Sequence, residues 1–186
     1  MEENNAFEFN TKKGNVVNVR YPQKGDEIVM MEYINTLSKE QTFIRAQGEE
    51  YTLEEETIYL HNQLEKIAKK ETVQLLAFCN NKLIGIAAID MQDKTESHRG
   101  VLGISLADDY RGEGIGKLLL EQILKEAERN LPNLYIVTLE VFGVNNIALQ
   151  LYISFGFKEY GRLPNGIRYK EDYVDDVMMY KIIRPL

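Results

Sequence analysis

The sequence predicts an α+β fold, a mixed and mostly antiparallel sheet flanked by helices. Three observations carry that prediction. Short β-prone runs occur near both ends and in the middle of the chain, while longer stretches place apolar residues at helical spacing. The middle runs Val73–Cys79 and Leu83–Ile89 are separated only by Asn80-Asn81-Lys82, a turn suited to an antiparallel hairpin. A strand–helix–strand–helix passage from Val101 to Phe155 then breaks the run of hairpins, so the order is not that of a regular doubly wound fold.

Taken in order, Val16–Tyr21 has strand character and is expected to pair with Phe7–Phe9 across Lys12-Lys13-Gly14-Asn15. Residues 1–14 thus read as a flexible or hairpin extension of one domain covering 1–186. A first helix over about Asp26–Leu37 places Ile28, Met31, Ile34 and Leu37 at helical spacing. A second, about Leu53–Lys69, opens with the capping box Thr52-x-x-Glu55 and lines up Leu60, Leu64, Ile67 and Ala68. After the central hairpin, Val101–Leu106 is a strand. Gly114–Arg129 is an amphipathic helix with Ile115, Leu118, Leu119, Ile123, Leu124 and Ala127 inward. Leu134–Val141 is a strand, Asn146–Phe155 a helix closed by Gly156, and Phe157–Gly161 and Val174–Ile183 the last strands. The stretch Tyr160–Tyr173, with Arg162, Arg168, Tyr169 and Lys170, reads as a loop lining an acceptor site or a dimer contact.

Composition narrows the function classes. At 186 residues and 44% apolar content, one sizeable core is affordable without metals or disulfides. The charge sum, 22 − 29 = −7, argues against broad binding to nucleic acid or to an anionic membrane, which needs a surplus of Lys and Arg. The longest apolar run, Leu83–Ile89, is seven residues against the roughly 20 that span a bilayer. Met1–Asn5 has neither the basic nor the apolar region of a signal peptide. The single Cys79 can form no internal disulfide, which suits a cytoplasmic setting. Cys79 has no paired histidine, His61 has no second ligand nearby, and no metal constellation is visible.

The most informative stretch is Tyr110-Arg111-Gly112-Glu113-Gly114-Ile115-Gly116-Lys117, between a strand and a helix. Glycine inside a helix costs about 1 kcal/mol relative to alanine, so glycines at a helix start need a reason. Close approach supplies one: without Cβ atoms, the unpaired N–H groups of a helix start can surround an anion that the helix dipole also favours. Arg111 and Lys117 flank the turn. A plain glycine turn is the alternative. A Walker A loop fails twice, at Arg111 where glycine is required and at Leu118 where a hydroxyl is required. A dinucleotide fingerprint starting at Gly112 fails at Lys117.

What fits is Arg/Gln-x-x-Gly-x-Gly/Ala, filled by Arg111, Gly114 and Gly116. Here the sequence resembles the GNAT superfamily of acyl-CoA-dependent N-acyltransferases. A second match lies downstream, in Leu139-Glu140-Val141, Asn145, Leu151-Tyr152 and Gly156-Phe157 at the family's spacings. The specific resemblance covers about residues 101–160.

The resemblance implies a GNAT fold and acetyl-CoA as acyl donor. It implies a pyrophosphate site formed by Arg111, Gly112, Gly114, Ile115, Gly116 and Lys117. Backbone groups around Leu106 and Ala107 would pair with the pantetheine arm, and Asn145 and Tyr152 would lie along the cofactor. Tyr152 would be the general acid toward the departing thiolate, and Glu140, His98 or ordered water the base. Asn145 and Tyr152 are seven apart, two helical turns, and so share a face. Asn145 also suits an N-cap, Tyr152 a core aromatic, and Glu140 a solvated strand end.

The expected reaction is acetyl transfer to a primary amine, on a small molecule or a protein N-terminus. The alternative is a non-catalytic acyl-CoA-binding or regulatory module on the same fold. No nucleic acid or membrane partner is expected, and a homodimer is allowed. The acidic run Glu49-Glu50 with Glu54-Glu55-Glu56 could attract a cationic acceptor, or could simply complement a helix dipole.

Overall fold

The computed structural model describes residues 7–185, so the signal-peptide reading of Met1–Asn5 lies outside the described residues. The strands are β1 (Phe7–Asn10), β2 (Val16–Arg20), β3 (Thr72–Cys79), β4 (Lys82–Met91), β5 (Arg99–Leu106), β6 (Ile136–Phe142), β7 (Lys158–Tyr169) and β8 (Asp172–Ile182). The helices are α1 (Glu27–Glu40), α2 (Leu53–Ala68), α3 (Ile115–Asn130) and α4 (Asn146–Ser154). The strands run in the order β1-β2-β3-β4-β5-β6-β8-β7, mostly antiparallel, with β5 and β6 parallel. The expected α+β class holds. The described chain packs as two compact units, one up to Asp90 plus Gly103–Pro132, the other Met91–Leu102 plus the residues from Asn133 onward.

In the first unit, β1 to β4 pair antiparallel in chain order, with α1 and α2 inserted between β2 and β3. The expected hairpins are present. Asn80 (φ 49°) and Asn81 (φ 63°) are both left-handed, as a tight two-residue turn demands and asparagine tolerates. Leu76 and Phe78 of β3 pack with Met30, Tyr33, Leu37 and Leu60 of α1 and α2. The alternate residues of the strand face the other way, toward α3. Gly85 of β4 admits α3 closely, since a Cβ there would stand 3.0 Å from Leu119 Cδ1.

The helical period of α1 is as expected but its phase differs. Met30, Tyr33, Leu37 and Ser38 are buried, while Ile28 is 51% exposed. Tyr33 takes the inward position because its ring fills the core while its hydroxyl lies 2.9 Å from Ser105 Oγ. Asp26, ahead of the helix, is gripped by Arg20 through two contacts of 2.7 and 2.8 Å. The capping box of α2 forms, with Thr52 Oγ1 accepting from Glu55 N–H and Glu55 accepting from Thr52 N–H. Its buried face is more polar than expected, carrying Glu56 and Gln63 beside Leu60. In α3, Leu120 and Glu126 are buried where Leu118 and Leu124 were expected. Glu126 is accommodated because the Tyr21 hydroxyl donates to it (2.8 Å) and Asn130 Nδ2 donates as well (3.0 Å).

In the second unit, β5 and β6 pair over Arg99–Val101 against Ile136–Thr138, and β8 lies between β6 and β7. The stretch expected as a loop, Tyr160–Tyr173, is instead most of a long β-hairpin. Gly161, Pro164 and Gly166 look like strand breakers in sequence. The hairpin absorbs them as register shifts between Glu159 and Gly161 and between Leu163 and Ile167.

Candidate cofactor and catalytic site

The glycine turn lies in the first unit, directly before α3. Gly112 (φ 76°) and Gly114 (φ 89°) are both left-handed, and a Cβ at either would meet nothing within 4 Å. Backbone conformation, rather than crowding, therefore demands glycine there. Gly114 is the N-cap of α3 and supplies no capping side chain, and the first turn holds no acidic residue. By contrast, α2 is capped by Thr52 and α4 by Asn145. The early N–H groups of α3, at Ile115, Gly116 and Lys117, thus sit at an uncapped helix start with exposed Lys117 beside them. That arrangement fits an anion.

The side chain of Arg111 does something the motif did not foretell. Its five N–H groups are all used: Nε and Nη2 donate to the Leu106 carbonyl (3.0 and 2.9 Å). Nη1 donates to Thr42 Oγ1 and to Asp108, and Nη2 to Glu40 (3.2 Å). The guanidinium therefore ties the end of β5 to the end of α1. Ala107 is also engaged, its N–H donating to the Ile84 carbonyl and its carbonyl accepting from Tyr110.

The other predicted residues lie in the second unit. Tyr152 is 7% exposed, and its hydroxyl has no hydrogen-bond partner among the described residues. Burial pushes its phenol up to about 12, so the proton is retained throughout the neutral range. Asn145 caps α4, its Oδ1 accepting from Ala148 N–H at 3.1 Å. Glu140 is exposed on β6 between buried Leu139 and Val141, and by strand alternation occupies the opposite face from them. His98 precedes β5, its carbonyl accepting from Tyr135 N–H. Of the acidic run, Glu55 is used in the cap and Glu50 pairs with Lys39 at 2.8 Å. Among the described residues no His, Cys, Asp and Glu cluster suits a metal ion.

The Acetyltransferase (GNAT) family profile matches residues 33–157, two thirds of the chain. This chain belongs to the GNAT acetyltransferase family. A GNAT-family acetyltransferase from Streptococcus pneumoniae is 30% identical, with a TM-score of 0.82 over 90% of this chain and 99% of that one. A ribosomal-protein-alanine N-acetyltransferase from Brucella melitensis is 23% identical, with a TM-score of 0.73 over 88% and 98%. A protein from Salmonella typhimurium, solved with its cofactor acetyl-CoA, is 15% identical, with a TM-score of 0.78 over 91% and 95%. The last two share the fold. No curated protein matches. No described helix is long and apolar enough to cross a membrane.

Two groups in this GNAT chain escaped sequence reasoning. Glu113, a variable position of the motif, is 2% exposed. Glu40 and Thr42, partners of Arg111, lie about seventy residues upstream, where no local pattern connects them to the turn.

Proposed function

We propose that this chain transfers an acetyl group from acetyl-CoA to a primary amine. The carrying observation is the uncapped, acid-free start of α3 behind two left-handed glycines. It suits the pyrophosphate of coenzyme A. The Gly112–Lys117 backbone would hold that group, with Lys117 adding charge and Arg111 acting by fixing the turn. The N–H of Leu106 would serve the pantetheine arm, since the Leu106 carbonyl and both Ala107 backbone groups already have partners. Bound acetyl-CoA supplies an acetyl thioester, whose carbonyl is the electrophile.

The buried phenol of Tyr152 holds a proton and, lacking a partner among the described residues, has that proton to donate. Against a thiol of pKa about 8.5, full transfer from a phenol near 12 is uphill by roughly 3.5 units, or about 5 kcal/mol. Tyr152 therefore acts by donating a hydrogen bond to the developing thiolate. The amine's own proton can complete the thiol. Glu140 on its exposed strand face, His98 or ordered water would relay that proton. Asn145 would line the cofactor while capping α4.

The acceptor is a small-molecule amine or a protein N-terminus. The ribosomal-protein enzyme among the structural neighbours lends support to the latter. The acidic surplus and lone buried thiol accord with a cytoplasmic enzyme that uses neither nucleic acid nor membrane. Calorimetric titration with acetyl-CoA tests the reading. Micromolar binding is expected, and none at high micromolar ligand would remove it. Mass-spectrometric detection of acetylated amines from a mixed panel then separates an enzyme from a binding module.

A further inference from the structure

The β1–β2 hairpin reaches the glycine turn through one buried carboxylate. Glu113 sits between Gly112 and Gly114, and its side chain is 3% exposed. It accepts a hydrogen bond from Asn15 Nδ2 (3.3 Å) and pairs with Lys13 Nζ at 3.1 Å, and the neighbouring Thr11 hydroxyl helps to hold its carboxyl below the usual carboxylate range. All three partners belong to one tight turn. That turn is itself braced: Thr11 N–H donates to the Asn15 carbonyl (2.8 Å), Gly14 N–H to the Thr11 carbonyl (2.9 Å), and Asn15 N–H to Thr11 Oγ1 (3.1 Å).

An acidic side chain is a poor choice beside a polyanion site unless its charge is needed for something else. Here the carboxylate is held by donors and one cation, so its charge is neutralised on the hairpin side. The residues on either side of it are the two left-handed glycines, which are the least conformationally restrained positions of the turn. A fixed point between them removes freedom that binding would otherwise have to remove.

We propose that Glu113 is a positioning residue for the cofactor: clasped by Thr11, Lys13 and Asn15, it locks the Gly112–Gly114 turn so that the N–H groups at the start of α3 are aimed before coenzyme A arrives. The N-terminal hairpin is thereby part of the cofactor site without touching the cofactor. The inference rests on the acetyl-CoA reading above.

The experiment compares wild type, Glu113→Gln and Lys13→Ala by hydrogen exchange without ligand and by calorimetric titration with coenzyme A. Lys13 is two-thirds exposed, so its replacement does not threaten folding even if Glu113→Gln does. Expected are faster amide exchange confined to residues 112–117 and a coenzyme A Kd raised about three- to ten-fold, with the melting temperature of Lys13→Ala unchanged. Unchanged exchange in both variants would overturn the clasp, even if affinity fell, because Lys13 would then be acting on the anion directly. Tighter binding by Glu113→Gln would also overturn it, showing that the carboxylate only repels. Failure of wild type to bind coenzyme A would instead remove the proposed function, while the exchange measurement still reads the clasp.

Discussion

Phe157 holds Tyr152 twice. Its N–H donates to the Tyr152 carbonyl at 3.1 Å, and its ring lies edge-on to the phenol ring at 5.7 Å. Together with Gly156 N–H donating to the Ile153 carbonyl, this is a Schellman ending to α4, with glycine at φ 84° in the left-handed position. The spacing from Tyr152 to Gly156-Phe157 in the sequence is thus the geometry of a helix end that fixes the side chain proposed for catalysis.

Replacing Gly156 with alanine forces a Cβ into that left-handed conformation. A loss of about 1–2 kcal/mol in urea unfolding is expected. Turnover should fall by more than coenzyme A affinity does, because the displaced element carries Tyr152. A variant as stable and active as wild type would separate the helix end from the chemistry.

Tyr152→Phe removes a hydroxyl with no described partner, so stability should change by less than about 1 kcal/mol. Turnover should drop on the order of 10²-fold with coenzyme A affinity nearly kept. Because the phenol is pushed up to about 12, it does not titrate between pH 6 and 10. The pH profile of kcat should therefore keep its shape in the variant, and a basic limb that vanishes would contradict the assignment.

Burial raises the phenols of Tyr33 and Tyr152 above the ordinary value near 10. The unfolded chain loses these protons first. Their favourable contribution is therefore intact below pH 10 and lost as pH climbs toward the folded values. Above pH 10 each phenol should lower unfolding free energy by roughly 1.4 kcal/mol per pH unit. Denaturant titrations at pH 9 and pH 11 measure this, and Tyr33→Phe should flatten the slope.

Gly85→Ala places a methyl 3.0 Å from Leu119 Cδ1, 3.1 Å from Leu106 Cδ1 and 3.3 Å from the Ser105 carbonyl. A cost of about 1–3 kcal/mol is expected by thermal unfolding. Leu106 lies on the strand whose carbonyl anchors Arg111, so coenzyme A affinity should weaken too.

Much of this was legible in the chain itself. The four helices, the central hairpin, the N-terminal hairpin and the α2 cap follow from local spacing and turn chemistry. The glycine turn was legible because left-handed backbone leaves a residue-type signature. What was hidden depends on distant partners. Nothing near Arg111 shows that Glu40 and Thr42 take its donors, and nothing near Glu113 shows the hairpin that clasps it. Tyr33 set the phase of α1 through a hydroxyl bond to Ser105, a preference that apolar periodicity does not weigh. The two last strands were legible, but the continuation of β7 beyond Gly161 to Tyr169 was not, because Gly161, Pro164 and Gly166 count as breakers locally, although paired strands can absorb them as bulges.

The chain's single thiol, Cys79, is 1% exposed on β3. The folded protein is therefore expected to be silent toward a disulfide chromophore such as Ellman's reagent, so colour developed in an assay of the proposed acetyl transfer would count released coenzyme A alone. The same thiol becomes reactive only on opening of the first unit, so one reagent reads product in folded protein and unfolding in its absence.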